Sequence, residues 1–128
     1  MRQWERNISA LVHLLALLPL WGLLIIGIIW LRYKEASRAI VFQALQAIFF
    51  QCSFLLLAVI YIILTLFISI IAVINAPLAD LLKTMLFWLG VTCAGLYCLA
   101  CLTASLSVLF GKDFKYPVIG QRIGYQLK

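Results

Sequence analysis

Residues 39–75 read AIVFQALQAIFFQCSFLLLAVIYIILTLFISIIAVIN, 37 positions with no charge, glycine or proline. As helix this run is about 55 Å long, well beyond the roughly 30 Å of a bilayer's hydrocarbon core. Two crossings would need a turn near its middle, and no turn-forming residue stands there. The run therefore divides into an interfacial or partly inserted amphipathic segment over 39–51 and a span over 52–75.

Asn75-Ala-Pro77 closes the run, because proline disfavours helical geometry just before it. Asp80 is the expected N-cap of the next helix, with Lys83 one turn on as an ion-pair partner. A span over 81–110 follows, stopped by Gly111 in a left-handed cap, and the tail 111–128 mixes Lys, Phe, Tyr and one Pro as a segment along headgroups does. Upstream, Ile8 to Leu31 gives 24 residues or about 36 Å of helix. Trp4 precedes it and Trp30 and Tyr33 close it as interfacial anchors, while Pro19 and Gly22 predict a kink. A cleavable signal peptide does not fit, since the apolar run is too long and no small-residue cleavage site follows. The expected fold is an all-α integral membrane protein with a single membrane domain, 1–128. It has three transmembrane helices (8–31, 52–75, 81–110) plus the interfacial segment, with four crossings as the other count.

Composition agrees. The chain is 66% hydrophobic and 11% charged, with a mean hydropathy of +1.15, where soluble domains are about 45–50% apolar and about 25% charged. A water-soluble enzyme, a disordered chain and a disulfide-stapled secreted module are excluded. The net charge of +6 is carried by residues at the ends of apolar runs, where headgroups meet them. The partners implied are the lipid bilayer and other membrane subunits or a second copy, with no nucleic acid. With three crossings, Arg2, Arg6 and Lys83 share one side and Arg32, Lys34, Arg38, Lys112, Lys115, Arg122 and Lys128 the other. Three against seven places the C-terminus in the cytoplasm or its equivalent and the N-terminus outside, whereas four crossings give six against four.

At 100° per residue, Ala39, Gln43, Gln46 and Ala47 share a helix face, and Val41, Phe42, Leu45, Ile48 and Phe49 fall opposite. The glutamines either present a contact surface to a partner or passenger chain, or tie the helix to its own neighbours at about 0.6 kcal/mol each. Gly90, Ala94, Cys98, Cys101 and Ser105 follow helical spacing as a small-residue seam for close helix contact. Cys98-x-x-Cys101 has redox or metal spacing, but an apolar setting raises thiol pKa values and zinc would need two further ligands. All four cysteines, Cys52, Cys93, Cys98 and Cys101, lie within apolar runs and form no disulfide framework. His13 is either an axial ligand to a pigment or haem or a hydrogen-bonded packing residue. Glu5, Glu35, Asp80 and Asp113 all lie outside the deep apolar cores, so no intramembrane acid–base pair can be built from them. No enzyme activity, cofactor or metal is expected.

Two stretches carry a resemblance: Ser37-Arg-Ala-Ile-Val-Phe-Gln-Ala-Leu-Gln-Ala-Ile-Phe-Phe-Gln51 and Phe110-Gly-Lys-Asp-Phe-Lys-Tyr-Pro-Val-Ile119. Together they resemble the family of the twenty-kilodalton Tic subunit of the chloroplast inner-envelope import translocon and its bacterial relatives. Arg38, Phe42, Ala44, Gln46 and Ala47 match the pattern opening that family's second helix. Gly111, Phe114, Lys115, Tyr116 and Pro117 match its tail, and Ala10-Leu-Val-His13 its first span. Gln43 departs from the family, many of whose members carry His there. The resemblance implies a non-enzymatic translocon-like subunit for protein transport, in a bacterial inner membrane or a plastid or thylakoid-type membrane. An accessory or assembly subunit of an energy-transducing complex, or a small oligomeric pore or carrier, is the alternative.

Overall fold

The structure is a computed structural model describing residues 2–112, 114–117 and 119. Among these, the chain forms helices α1 (Gln3–Leu15), α2 (Trp21–Tyr33), α3 (Arg38–Ile74) and α4 (Ala76–Leu109). They contribute to two compact units: the described residues of Met1–Ser53 with Cys98–Lys128, and Phe54–Tyr97.

Helix α3 is continuous because nothing in its sequence interrupts it and an apolar solvent forces every backbone group to be satisfied internally. Its hydroxyls obey the same demand. Ser53, Thr65 and Ser69 each donate to the carbonyl four residues back at 2.9 Å, and Thr84, Thr92 and Thr103 do so in α4 at 2.7–2.9 Å. Both helices are long and apolar enough to cross a membrane, and only 6% and 11% of their apolar windows are buried. That exposure is the opposite of a soluble protein's core helix, and the protein is an integral membrane protein.

Only Asn75 separates α3 from α4. Its Oδ1 accepts the Leu78 backbone N–H at 3.1 Å, so Asn75 holds the N-cap place that the sequence suggested for Asp80. The helix starts before Pro77 because proline in a first turn forfeits an N–H that had no helical partner anyway. Within Phe54–Tyr97 the two helices run antiparallel. Phe54 stacks on Tyr97 at 4.1 Å between centroids, and a Cβ on Gly90 would stand 2.9 Å from the Tyr61 ring. At the other end, Gly111 (φ +80°) closes α4. Lys112 N–H bonds to Ser107 O at 2.9 Å and Gly111 N–H to Val108 O at 3.0 Å, the paired bonds of a Schellman cap.

The first apolar run is not one span. It breaks over residues 16–20, and three full-length crossings are not what the helices provide: α2, with 13 residues, is the shorter apolar helix. The break is a three-residue γ-turn in which Trp21 N–H bonds to Pro19 O at 2.7 Å around Leu20 (φ 62°, ψ −60°). Gly22 then passes so close to α1 that a Cβ there would lie 1.9 Å from the Leu15 carbonyl oxygen. The chain reverses, and Trp4 near the start of α1 meets Tyr33 at the end of α2, ring centroids 6.0 Å apart.

Candidate functional site

The first unit is organised by a buried polar network. One side of α1 carries Glu5, Ser9, Val12 and His13 inward. These residues meet the opening of α3, which contributes Gln43, Gln46 and Gln51 just after Ser37. Ser37 Oγ donates to Glu5 Oε1 at 2.7 Å, His13 Nε2 pairs with Gln43 Oε1 at 2.9 Å, and Gln51 Nε2 donates to Leu18 O at 2.8 Å. The three pairs sit at successive levels, so α1 and the start of α3 run side by side in the same direction. Helix α4 comes back against α1: Ser105 Oγ donates to Ala10 O at 3.1 Å, and a Cβ at Gly111 would stand 2.7 Å from the Arg6 guanidinium.

The segment after α4 closes the network. Gln46 Oε1 accepts Tyr116 N–H at 2.8 Å, while Gln43 Nε2 and Gln46 Nε2 both point at Phe114 O, at 3.3 and 3.4 Å. Tyr116 OH lies 3.3 Å from His13 Nδ1. Because Gln43 Oε1 is an acceptor, His13 Nε2 carries the proton of that bond, and Nδ1 faces the tyrosine hydroxyl. Tyr116 also stacks on Phe50 at 4.2 Å and stands edge-on to His13 and Phe114. His13 and Gln46 are 0% exposed and Gln43 is 3% exposed. A polar group buried this deeply is stable only when its partners are in place.

Charge gathers where α1 and α3 begin and α2 and α4 end. Arg2, Arg32, Lys34, Arg38 and Lys112 are exposed there and Arg6 is half-buried. Arg2 lies 3.8 Å from Glu5 and over the Trp4 ring at 5.1 Å. The Arg2 backbone N–H, at 2.7 Å, and then the Ser37 hydroxyl hold the Glu5 carboxyl below the usual carboxylate range, with desolvation opposing them. The N-terminus therefore shares an end with the α2–α3 link and with the close of α4, and the expected separation of Arg2 and Arg6 from Arg32, Lys34, Arg38 and Lys112 is corrected. The cause is the hairpin at residues 16–20, which returns the chain to the side it left.

The residues singled out from sequence are only partly brought together. His13, Gln43, Gln46 and Tyr116 form the network, and Ala47, which is fully buried, packs beside it. Val41, assigned to the opposite face, is buried too, while Phe42 is half-buried and Arg38 and Pro117 are exposed. The small-residue stripe splits. Gly90 and Ala94 line an apolar groove with Phe54, Leu57 and Tyr61, Cys98 is exposed, and Cys101 and Ser105 are buried in the first unit. Cys52, Cys93 and Cys98 are exposed free thiols. Among the described residues no three His, Cys, Asp or Glu side chains gather where they could hold a metal. Sequence reasoning missed Glu5, Ser37 and Gln51 as network members. Gln51 carried a usable signal, since a polar side chain inside a long apolar helix requires a partner.

A family model described as the magnetosome magnetite crystal formation protein family (MamF/MmsF) matches residues 4–123. No curated protein and no solved structure matches the chain. The family match contains both stretches that suggested a Tic-type subunit, and it overturns that resemblance together with the protein-import function drawn from it. The energy-transducing subunit and the pore or carrier find no support either. From the network's first helix through the segment that closes it, this chain belongs to the magnetosome magnetite crystal formation protein family.

Proposed function

We propose that this protein acts in magnetite crystal formation as a non-enzymatic component of the magnetosome membrane, working through contacts with lipid and with other proteins of that membrane. The observation that carries the reading is the family match over residues 4–123, which spans all four helices. A non-catalytic role is supported by how the buried polar groups are used. His13, Gln43, Gln46 and Tyr116 bond to one another or to the chain's own backbone, so their polar groups are used in holding the fold. The C-terminus faces the cytoplasm, in keeping with the Lys and Arg residues gathered at the start of α1, in the α2–α3 link and at the close of α4. A crossing by α3 and a return by α4 then turn Asn75, Asp80 and Lys83 toward the compartment in which the crystal grows.

Deletion of the gene in a magnetite-forming bacterium, followed by complementation, tests this. Electron microscopy should show crystals altered in size or shape and restored by the wild-type gene, and magnetosome membranes should contain the protein. Unaltered crystals, with the protein missing from those membranes, would refute the proposal.

A further inference from the structure

We infer that α1 and α2 form a re-entrant hairpin that enters the bilayer and leaves it on the same side, and that the cations at its open end form a collar binding anionic phospholipid headgroups. The inference rests on the geometry of the first unit and not on the family.

Depth is the first argument. Each helix of the hairpin has 13 residues, a rise of about 20 Å, against about 30 Å of hydrocarbon. The turn is held at that depth, because Gln51 Nε2 bonds to Leu18 O at 2.8 Å. A non-helical turn inside a membrane is tolerated only where protein satisfies its backbone. Leu18 O receives Gln51 and the Gly22 N–H (2.9 Å), and Pro19 O receives Trp21 N–H.

The distribution of surface chemistry is the second. Toward the closed end the exposed side chains are Leu14, Leu18, Leu20, Trp21, Leu24 and Ile25. At the open end, Arg2, Arg6, Arg32, Lys34, Arg38 and Lys112 stand beside only two described carboxylates, Glu5 and Glu35, and Glu5 is already engaged by Arg2 and Ser37. Trp4 and Tyr33 pack together just inside that collar, at the level where aromatic side chains settle in a bilayer. An apolar tip, an aromatic layer and a cationic rim in that order fit one leaflet. Clustered Lys and Arg beside a membrane-embedded segment select acidic lipid.

Two measurements on the full-length protein decide it. The first is thiol labelling from each face of the membrane, with cysteines placed singly at Gln3, Ala36, Lys112 and Leu20 after the four native cysteines are replaced by alanine. Positions 3, 36 and 112 should label from one face, and position 20 from neither. Labelling of 3 and 36 from opposite faces, or of 20 from the far face, overturns the hairpin. Should the cysteine-free protein not fold, a fluorescent protein that matures only in the cytoplasm is fused to either end of the native chain. Fluorescence from only one of the two fusions would overturn the shared side. The second measurement is the melting temperature in nanodiscs of phosphatidylcholine with and without phosphatidylglycerol. The acidic lipid should raise it for the native chain, and the rise should be lost in a triple variant, Arg32→Gln, Lys34→Gln and Arg38→Gln. Equal melting in both lipids, an undiminished rise in the variant, or a rise reproduced by inorganic phosphate alone overturns the lipid assignment.

Discussion

Replacing Gly22 by alanine should open the α1–α2 hairpin. A Cβ there would lie 1.9 Å from Leu15 O and 2.9 Å from Leu15 C, and ordinary contact begins near 3.4 Å. The carbonyl would have to retreat by about 1.5 Å, and it belongs to backbone, which cannot swing aside as a side chain does. Overpacking costs about 1–3 kcal/mol, and a backbone obstacle puts this site at the upper end. Alanine recovers at most about 1 kcal/mol of helix propensity, so the net loss is about 2 kcal/mol. Gly27 supplies the control. It lies on the same helix, a Cβ there meets nothing within 4 Å, and Gly27→Ala should stabilise by about 0.5–1 kcal/mol. Thermal unfolding in detergent, followed by circular dichroism, should place the wild type between the two variants. If Gly22→Ala melts at or above Gly27→Ala, the close approach of the two helices is wrong, and with it the hairpin.

Three other substitutions probe the first unit. Gln43→Leu leaves the His13 Nε2–H without its partner and should cost about 1–3 kcal/mol, whereas Tyr116→Phe loses the longer bond to Nδ1 and should cost about 0.5–1.5 kcal/mol, both read from unfolding in mixed micelles. Leu20→Gly should be neutral or stabilising by up to about 2 kcal/mol. Leu20 is 65% exposed with φ 62°, and relief of about 1–3 kcal/mol of strain exceeds the entropy glycine adds to the unfolded chain. Because Glu5 titrates below the usual carboxylate range when folded, its contribution is present above the ordinary value of about 4.3 and is lost as pH falls through that value and on through its own. Ser37→Ala should flatten that acid-side loss in melting temperature measured against pH, and an unchanged profile would mean the 2.7 Å bond does not hold the charge.

The membrane character and the long helices were legible because composition and uninterrupted hydropathy report the solvent directly. The reversal at residues 16–20 was only half visible. Pro19 and Gly22 announced a bend, but a kinked span and a full hairpin share those residues. What separates them is the pairing of Trp4 with Tyr33 and Glu5 with Ser37, contacts between positions about thirty apart that no local pattern encodes. The misplaced N-terminus followed from this, since a charge count inherits the number of crossings it is given. The Gln43 and Gln46 face was legible as a face. Its occupant, Phe114 to Tyr116, was not, because a short mixed segment with one proline reads equally well as a surface tail. Asp80 failed as an N-cap because Asn75 stood earlier with the same chemistry and Pro77 was no obstacle in a first turn.

Lipid removes the usual reason for helices to associate, since a leucine gains nothing by leaving acyl chains for another leucine. What remains is close packing and hydrogen bonding, and the chain distributes them unevenly. In the first unit side chains bond across between segments at Glu5–Ser37, His13–Gln43, Gln51–Leu18 and Ser105–Ala10. In Phe54–Tyr97 the described hydroxyls of Thr65, Ser69, Thr84 and Thr92 bond back within their own helices. Association there is marked by ring packing of Phe54 on Tyr97 and Tyr61 on Gly90. The two units therefore differ in what it takes to separate their helices. Parting those of the first breaks buried polar bonds that an apolar solvent cannot replace, whereas parting those of the second exchanges one apolar surface for lipid.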